Sequence, residues 1–232
     1  FGIKNDSIAS YSPYIQNVCT VFMLLFGVNF SCYYLLLMRQ VRNVFKDEEL
    51  RLYFCIVAGS ILLITLNLRG FYGTVEETVR HAAFQVSSII TTTGYATADF
   101  DLWPSFSKAI LLGLMVVGAC AGSTGGGLKC NNQAVDEKIL DNTNAYLAAY
   151  VIIVLFSFIA ISIDGFSTTT NFSAVLSCFN NIGPGLEAVG PTCNFSGYSI
   201  FSKLILIIDM LAGRLEIFPI LILASRSTWK HR

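Results

Sequence analysis

The 232-residue chain is 54% apolar and only 13% charged, with a mean hydropathy of +0.62, which excludes an ordinary soluble domain and makes a lipid bilayer the expected solvent. Fifteen basic and fifteen acidic residues cancel, so no net field argues for nucleic acid, and the basic residues are informative only through their placement. The seven cysteines (Cys19, Cys32, Cys55, Cys120, Cys130, Cys178 and Cys193) show no CxxC or other metal-ligand spacing and read as small core residues.

In chain order, five apolar runs approach the roughly 20 residues that a spanning helix needs: Tyr14 to Met38, Leu52 to Leu68, Phe106 to Ala121, Ala145 to Ile163, and Ile200 to Leu223. Thr78 to Ile90 and Thr170 to Phe179 are apolar but shorter, which suggests re-entrant or interfacial helices. Arg39, Arg42, Lys46 and Arg51 crowd the first connection, Lys129 and Lys138 lie between the third and fourth runs, and Arg226, Lys230 and Arg232 end the chain. The bias of basic residues places these segments in the cytoplasm. Five crossings then fit only if both short helices dip in from the outside and return there. Asp99, Asp101 and Glu187 fall on that outer face, a mildly acidic mouth for cations. The start, Phe1-Gly2-Ile3-Lys4, carries neither an initiator Met nor a signal pattern, and a fragment of a longer protein is the expectation.

Laying the second half of the chain over the first reveals a repeat. With Gly94 on Gly183, Val86 falls on Val175 and Ser88 on Ser177; further on, Phe106-Ser107-Lys108 matches Phe201-Ser202-Lys203, Met115 falls on Met210 and Gly118 on Gly213. The expected fold is an all-α membrane protein of repeated helix, re-entrant helix with glycine turn, and helix. Residues 1–49 hold the last helix of a preceding unit and a cytoplasmic link, 50–132 one unit, and 133–232 the next with its tail. The turns Thr91-Thr92-Thr93-Gly94-Tyr95-Ala96 and Asn180-Asn181-Ile182-Gly183-Pro184-Gly185 directly follow the short helices. Extended backbone at membrane depth is tolerated only inside protein or along a watery cavity. Glycine admits positive φ, so successive carbonyl oxygens can face one axis and replace a cation's water shell. Thr92, Thr93, Gly94, Tyr95, Asn181, Ile182, Gly183 and Pro184 are therefore the candidate ion-binding residues, and tandem threonine hydroxyls would add hard oxygen ligands. The negative end of each short helix's dipole favours a cation at the same place.

Gly122 to Gly127 has the glycine spacing of a phosphate-binding loop, but Leu128 stands where that motif requires Lys, so the phosphate reading fails. Close helix packing through small residues is one account of this run. Arg214 and Glu216 lie within the last apolar run, where charge faces a partner or a water-filled path. A buried pair with Asp209 or Glu216 is the alternative to a role beside a pore. Asp164 reads as interfacial, and His81 and His231 lack ligand spacing. Neither GxGD nor HExxH occurs in the sequence, nor does a GxSx nucleophile site with a histidine on a neighbouring span, and a non-enzymatic chain is expected.

These residues resemble the TrkH/KtrB family of potassium-uptake membrane subunits, in which one chain carries four non-identical pore units around a single pore. Thr92-Thr93-Gly94-Tyr95-Ala96 looks like the filter strand of the third unit, and Asn181-Ile182-Gly183-Pro184-Gly185 like that of the fourth. Gly27-Val28-Asn29-Phe30, Ala121 to Lys129 and Gly213-Arg214-Leu215-Glu216 agree with it as well. The first two units have no counterpart here, and the link from Lys129 to Val135 is shorter than the family's. The resemblance implies potassium as the transported ion, with no cofactor held by this chain. It makes Gly122, Ser123, Thr124, Gly125, Gly126 and Gly127, with Arg214, an intramembrane gate below the filter. It implies a bacterial plasma-membrane protein, a homodimer of full-length chains, and a separate cytosolic nucleotide-binding ring of TrkA/KtrA type, since no Rossmann fingerprint occurs here. A sodium-coupled or poorly selective transporter, or a non-conducting assembly subunit, remains the alternative.

Overall fold

The computed structural model describes residues 6–120, Ser123 and 137–214, and among these it is built of helices and loops without a strand. The first apolar run is broken. Helix α1 (Pro13–Phe26) and α2 (Phe30–Leu37) meet at 90° around Gly27 and Asn29. Asn29 starts the second helix by accepting from the Ser31 amide at 2.9 Å, the usual N-cap device. Nearby, Gly27 sits where a Cβ would lie 2.4 Å from Tyr53 Oη and 2.8 Å from Thr91 Cγ2, so a larger residue there would have to displace these side chains. A short α3 (Val41–Lys46) leads to α4 (Glu48–Asn67), which Asp47 caps through the Leu50 amide and whose first turn carries Glu48 and Glu49.

The chain then dips. Thr74 caps α5 (Val75–Ile90), a 16-residue helix whose residues from Phe84 to Ile90 are all buried. Burial on every side is what a helix surrounded by spans at membrane depth requires. Helix α6 (Ser105–Val117) follows and stops at Gly118, whose φ of +67° ends the turn. The expected span from Phe106 to Ala121 is thus shorter than its apolar run. The second copy comprises α7 (Glu137–Ile161), the buried re-entrant α8 (Thr168–Phe179) capped by Ser167, and α9, described as Ile200–Arg214. Among the described residues, α4 and the Leu147–Asp164 stretch are long and apolar enough to cross a membrane, and the bent α1–α2 pair makes a third if taken as one span.

The two copies also correspond beyond the short helices. The buried faces of α4 and α7 carry the same residues at the same spacing: Tyr53, Val57, Ser60 and Ile64 against Tyr150, Val154, Ser157 and Ile161. At the outer ends, Ser107 donates to Asn67 at 2.8 Å, while the Ser199 amide donates to Asp164 at 2.8 Å. The aligned lysines act alike. Lys108 donates to the Asp101 carbonyl and Lys203 to the Ser196 carbonyl, each seven residues back. Each copy has its own apolar core, one around α4, α5 and α6 and one around α7, α8 and α9, and Ile182 and Leu186 reach across into the first. The outward faces of α4 and α7 are apolar, with Leu52, Phe54, Leu62, Ile152, Phe156 and Ile159 exposed, the composition that lipid selects.

Candidate functional site

Both re-entrant helices end in the same backbone device. After the C-cap residues Thr91 and Asn180, the next residue turns left-handed, with φ of 53° at Thr92 and 56° at Asn181. The Thr93 and Ile182 amides then fold back to the Ser88 and Ser177 carbonyls, both at 2.8 Å. Gly94 and Gly183 take φ of 80° and 111°, values that disfavour any side chain. The aligned serine hydroxyls brace the turns: Ser88 donates to the Tyr95 carbonyl at 2.6 Å, and Ser177 accepts from the Gly183 amide at 3.0 Å. Asparagine is enriched in the left-handed region and a β-branched residue is not, so the residue type carries a signal for this turn at Asn181 and none at Thr92.

The turns meet face to face. A Cβ on Gly94 would lie 2.1 Å from the Ile182 carbonyl oxygen and 3.3 Å from Pro184 Cδ, so the two extended segments touch at the glycine. Among the described residues, no hydrogen bond is donated to the carbonyl oxygens of Thr93, Gly94, Ile182 or Gly183. Thr93 turns its hydroxyl to Thr91 at 2.8 Å, and Thr91 in turn donates to the Ser87 carbonyl, so this pair braces the turn from behind.

The second turn carries ties that the first lacks. Helix α6 stops at Val117, so the Met115 carbonyl is an end-of-helix acceptor. The fully buried Asn180 amide donates to it at 2.8 Å, and to the Tyr150 hydroxyl at 3.1 Å. Asn181 donates to the Met210 carbonyl on α9 at 3.1 Å. Gly213 packs against the end of α8 so closely that a Cβ would sit 1.6 Å from the Phe179 carbonyl oxygen. Gly27 makes the corresponding approach to Thr91 at the end of α5.

The acidic mouth is more structured than its sequence suggests. Asp99 accepts from the Asp101 amide at 3.1 Å and from Thr192 at 3.2 Å. Asp101 is pressed against Gly190, and burial pushes its carboxyl above the usual carboxylate range, against a bond from the Glu187 backbone and the Lys108 charge. Glu187 instead reaches the start of α8, where Ser167 is the cap. The Ser167 and Thr170 hydroxyls donate to it and hold its carboxyl below the usual range.

Of the expected gate residues, Gly122, Thr124, Gly125, Gly126 and Gly127 lie outside the described residues, as does the side chain of Arg214. Ser123 is described: its hydroxyl donates to the Cys120 carbonyl at 2.6 Å. The Cys120 amide in turn donates to the Gly27 carbonyl, at the α1–α2 break, at 3.2 Å.

The family profile described as "TrkH: Cation transport protein" matches residues 1–144 and 133–230. The chain belongs to the TrkH family. The profile's two matches overlap at 133–144, beside the link whose sequence is short for the family. The Trk system potassium uptake protein TrkH of Escherichia coli K12 is 32% identical over an alignment covering 100% of this chain and 54% of that protein. Its namesake in Halomonas elongata is 29% identical over 99% of this chain. The crystal structure of the potassium transporter TrkH from Vibrio parahaemolyticus superposes with a TM-score of 0.86 at 28% identity, covering 99% of this chain and 56% of that one. The chain spans about half the length of the TrkH relatives it matches. The agreement at this TM-score extends the helical membrane fold of TrkH to the described residues.

Proposed function

We propose that the chain forms one side of a potassium-uptake pathway, in which residues 91–96 and 180–185 are two strands of a carbonyl selectivity filter. One observation carries this reading: two turns of the same backbone design touch at Gly94 and Ile182, with neighbouring carbonyl oxygens that accept no hydrogen bond among the described residues. Carbonyls held in this way replace the hydration shell of a monovalent cation as it sheds water. Thr92, Thr93, Gly94 and Tyr95 serve in one strand and Asn181, Ile182, Gly183 and Pro184 in the other. Potassium is the ion by analogy with the relatives, whose names describe potassium uptake. Transport of this kind makes and breaks no covalent bond. The units 50–132 and 133–232 each supply one strand, and residues 1–49 supply the last helix of a preceding unit.

Beneath the filter, the run Gly122 to Gly127 with Arg214 obstructs the pathway when closed. Cys120, two residues ahead of that run, donates to the Gly27 carbonyl, and Ser123 donates to the Cys120 carbonyl, which supports a link between this part of the chain and the α1–α2 break. The working protein is a homodimer of full-length chains in the bacterial plasma membrane, gated by a cytosolic nucleotide-binding ring of TrkA/KtrA type.

The test is rubidium and potassium flux through the full-length protein in vesicles, beside growth of a potassium-uptake-deficient cell at low external potassium. The expected result is restored growth with saturable rubidium uptake. Normal membrane expression without flux of either ion would overturn the reading.

A further inference from the structure

We infer that Gln16 is a positioning residue for cation selectivity, acting through a clamp on the outer end of the first filter strand. The inference rests on the filter reading above. Residues just ahead of α1 run alongside the filter strand: the Ile8 amide donates to the Ala96 carbonyl at 3.0 Å, and the Ala96 amide donates to the Ser7 hydroxyl at 3.2 Å. Ala96 directly follows Tyr95, whose carbonyl is fixed by Ser88. Ser7 adopts this arrangement with φ of 56°, a left-handed conformation that a serine keeps only when its surroundings over-determine it.

Gln16 is what over-determines it. The side chain sits in the first turn of α1 at 2% exposure. Its amide nitrogen reaches the carbonyls of Tyr11 at 3.1 Å, Ala9 at 3.2 Å and Ile8 at 3.4 Å, gathering the segment into one shape. Its carbonyl oxygen accepts from Arg80, which lies on the re-entrant helix α5 and also pairs with the exposed Glu76. One buried amide thus connects the preceding unit, the re-entrant helix and, through residues 7 and 8, the end of the filter. Among the described residues the second strand has no such arrangement, because its outer end closes within its own unit: the Gly185 amide donates to the Val189 carbonyl at 2.7 Å and the Leu186 amide to the Ser173 hydroxyl at 2.9 Å. At its outer end the first strand therefore depends on the preceding unit, whereas the second is closed there by residues of its own unit.

The experiment measures rubidium and sodium flux in the same vesicles for the full-length protein, alongside hydrogen exchange of the peptides covering residues 7–9 and 95–97. Gln16→Leu removes the donor and the acceptor. Gln16→Glu keeps the acceptor for Arg80 and removes the amide donor. Both should lower the rubidium-to-sodium ratio about fivefold, the factor set by a hydrogen bond's worth of positioning, and both should speed exchange at Ala96. Glu76→Gln, which breaks only the exposed pair, should change neither. A merely structural role would lower both fluxes in proportion to folded protein; an unchanged ratio with unchanged Ala96 exchange would overturn the inference. If the wild type carries neither ion, the filter reading fails. Faster Ala96 exchange in Gln16→Leu would then still uphold the clamp, and unchanged exchange would overturn it too.

Discussion

The turns at 91–96 and 180–185 share a backbone and differ in what holds it. In both, a left-handed residue follows the helix, an amide folds back to a serine carbonyl, a glycine takes positive φ and a serine hydroxyl braces the strand. The outside attachments are not copied. The first turn is gripped at its outer end by residues 7 and 8, whereas the second is tied on its inner side to the Met115 and Met210 carbonyls through Asn180 and Asn181. Repetition preserves the geometry that carbonyl groups need, while the anchoring residues are free to diverge because any rigid neighbour can serve. The two units should therefore respond alike to changes in the shared scaffold and unlike to changes in the anchors.

The largest contrast is expected where last helices meet re-entrant helices. Gly213→Ala drives a Cβ into a backbone carbonyl oxygen at 1.6 Å, which cannot swing aside. The added volume should cost at least the upper part of the roughly 1–3 kcal/mol range for overpacking. Gly27→Ala meets side-chain atoms of Tyr53 and Thr91 that can adjust, and should cost less. Thermal unfolding in detergent ranks the pair, and an equal or reversed order would break the comparison.

Next comes Asn180 against its counterpart Thr91. Asn180→Leu strands the Met115 carbonyl and loses the Tyr150 contact, a loss of about 1–3 kcal/mol for buried groups left unpaired. Thr91→Val leaves acceptors that the turn of α5 already serves and should cost about 1 kcal/mol or less. The same unfolding measurement checks this, and a Thr91→Val penalty above that of Asn180→Leu would show that the inner tie is not what distinguishes the second turn.

The smallest effect separates the two sides of the mouth by pH. The Glu187 carboxyl is held low by Ser167 and Thr170, so its contribution is present above the unfolded carboxylate range, about pH 4.3, and is lost as pH falls towards its folded value. Asp101 is raised by burial and has the opposite sign: its ionised form is disfavoured in the fold, and stability declines as pH rises through its folded value. Glu187→Gln should flatten the acid-side loss of stability and Asp101→Asn should remove the loss on rising pH. Matching slopes in the two variants would contradict the assignment.

Much of the fold was legible in the residues. The glycines, the Phe-Ser-Lys repeat and the two short apolar runs pointed to a repeated helical membrane fold, because span length and turn chemistry are local properties. The α4–α7 repeat was also present in the sequence, as Tyr53-x3-Val-x2-Ser-x3-Ile against Tyr150-x3-Val-x2-Ser-x3-Ile, but it reads as an ordinary apolar run until burial singles out one face. The break at Gly27 was not foreseen, since a single glycine in an apolar stretch is common in spanning helices and only the approach of Tyr53 and Thr91 makes it a corner. The ties from Gln16, Asn180 and Asn181 join residues 29 to 65 positions apart in sequence or reach backbone carbonyls that carry no residue signature. The mouth carboxylates were visible as charges, but their capture by Thr192, Ser167 and Thr170 depends on loop geometry.

The account's central claim is that the two turns act together as filter strands. The most direct measurement is the rubidium-to-sodium flux ratio of full-length Gly94→Ser and Gly183→Ser proteins, normalised to folded protein in the same vesicles. A side chain at φ of 80° or 111° must rotate the neighbouring carbonyls, and at Gly94 it must also displace Ile182 of the other turn. The account predicts that both variants lose selectivity for rubidium while residual flux persists. Residual flux with a wild-type ratio in both would contradict it.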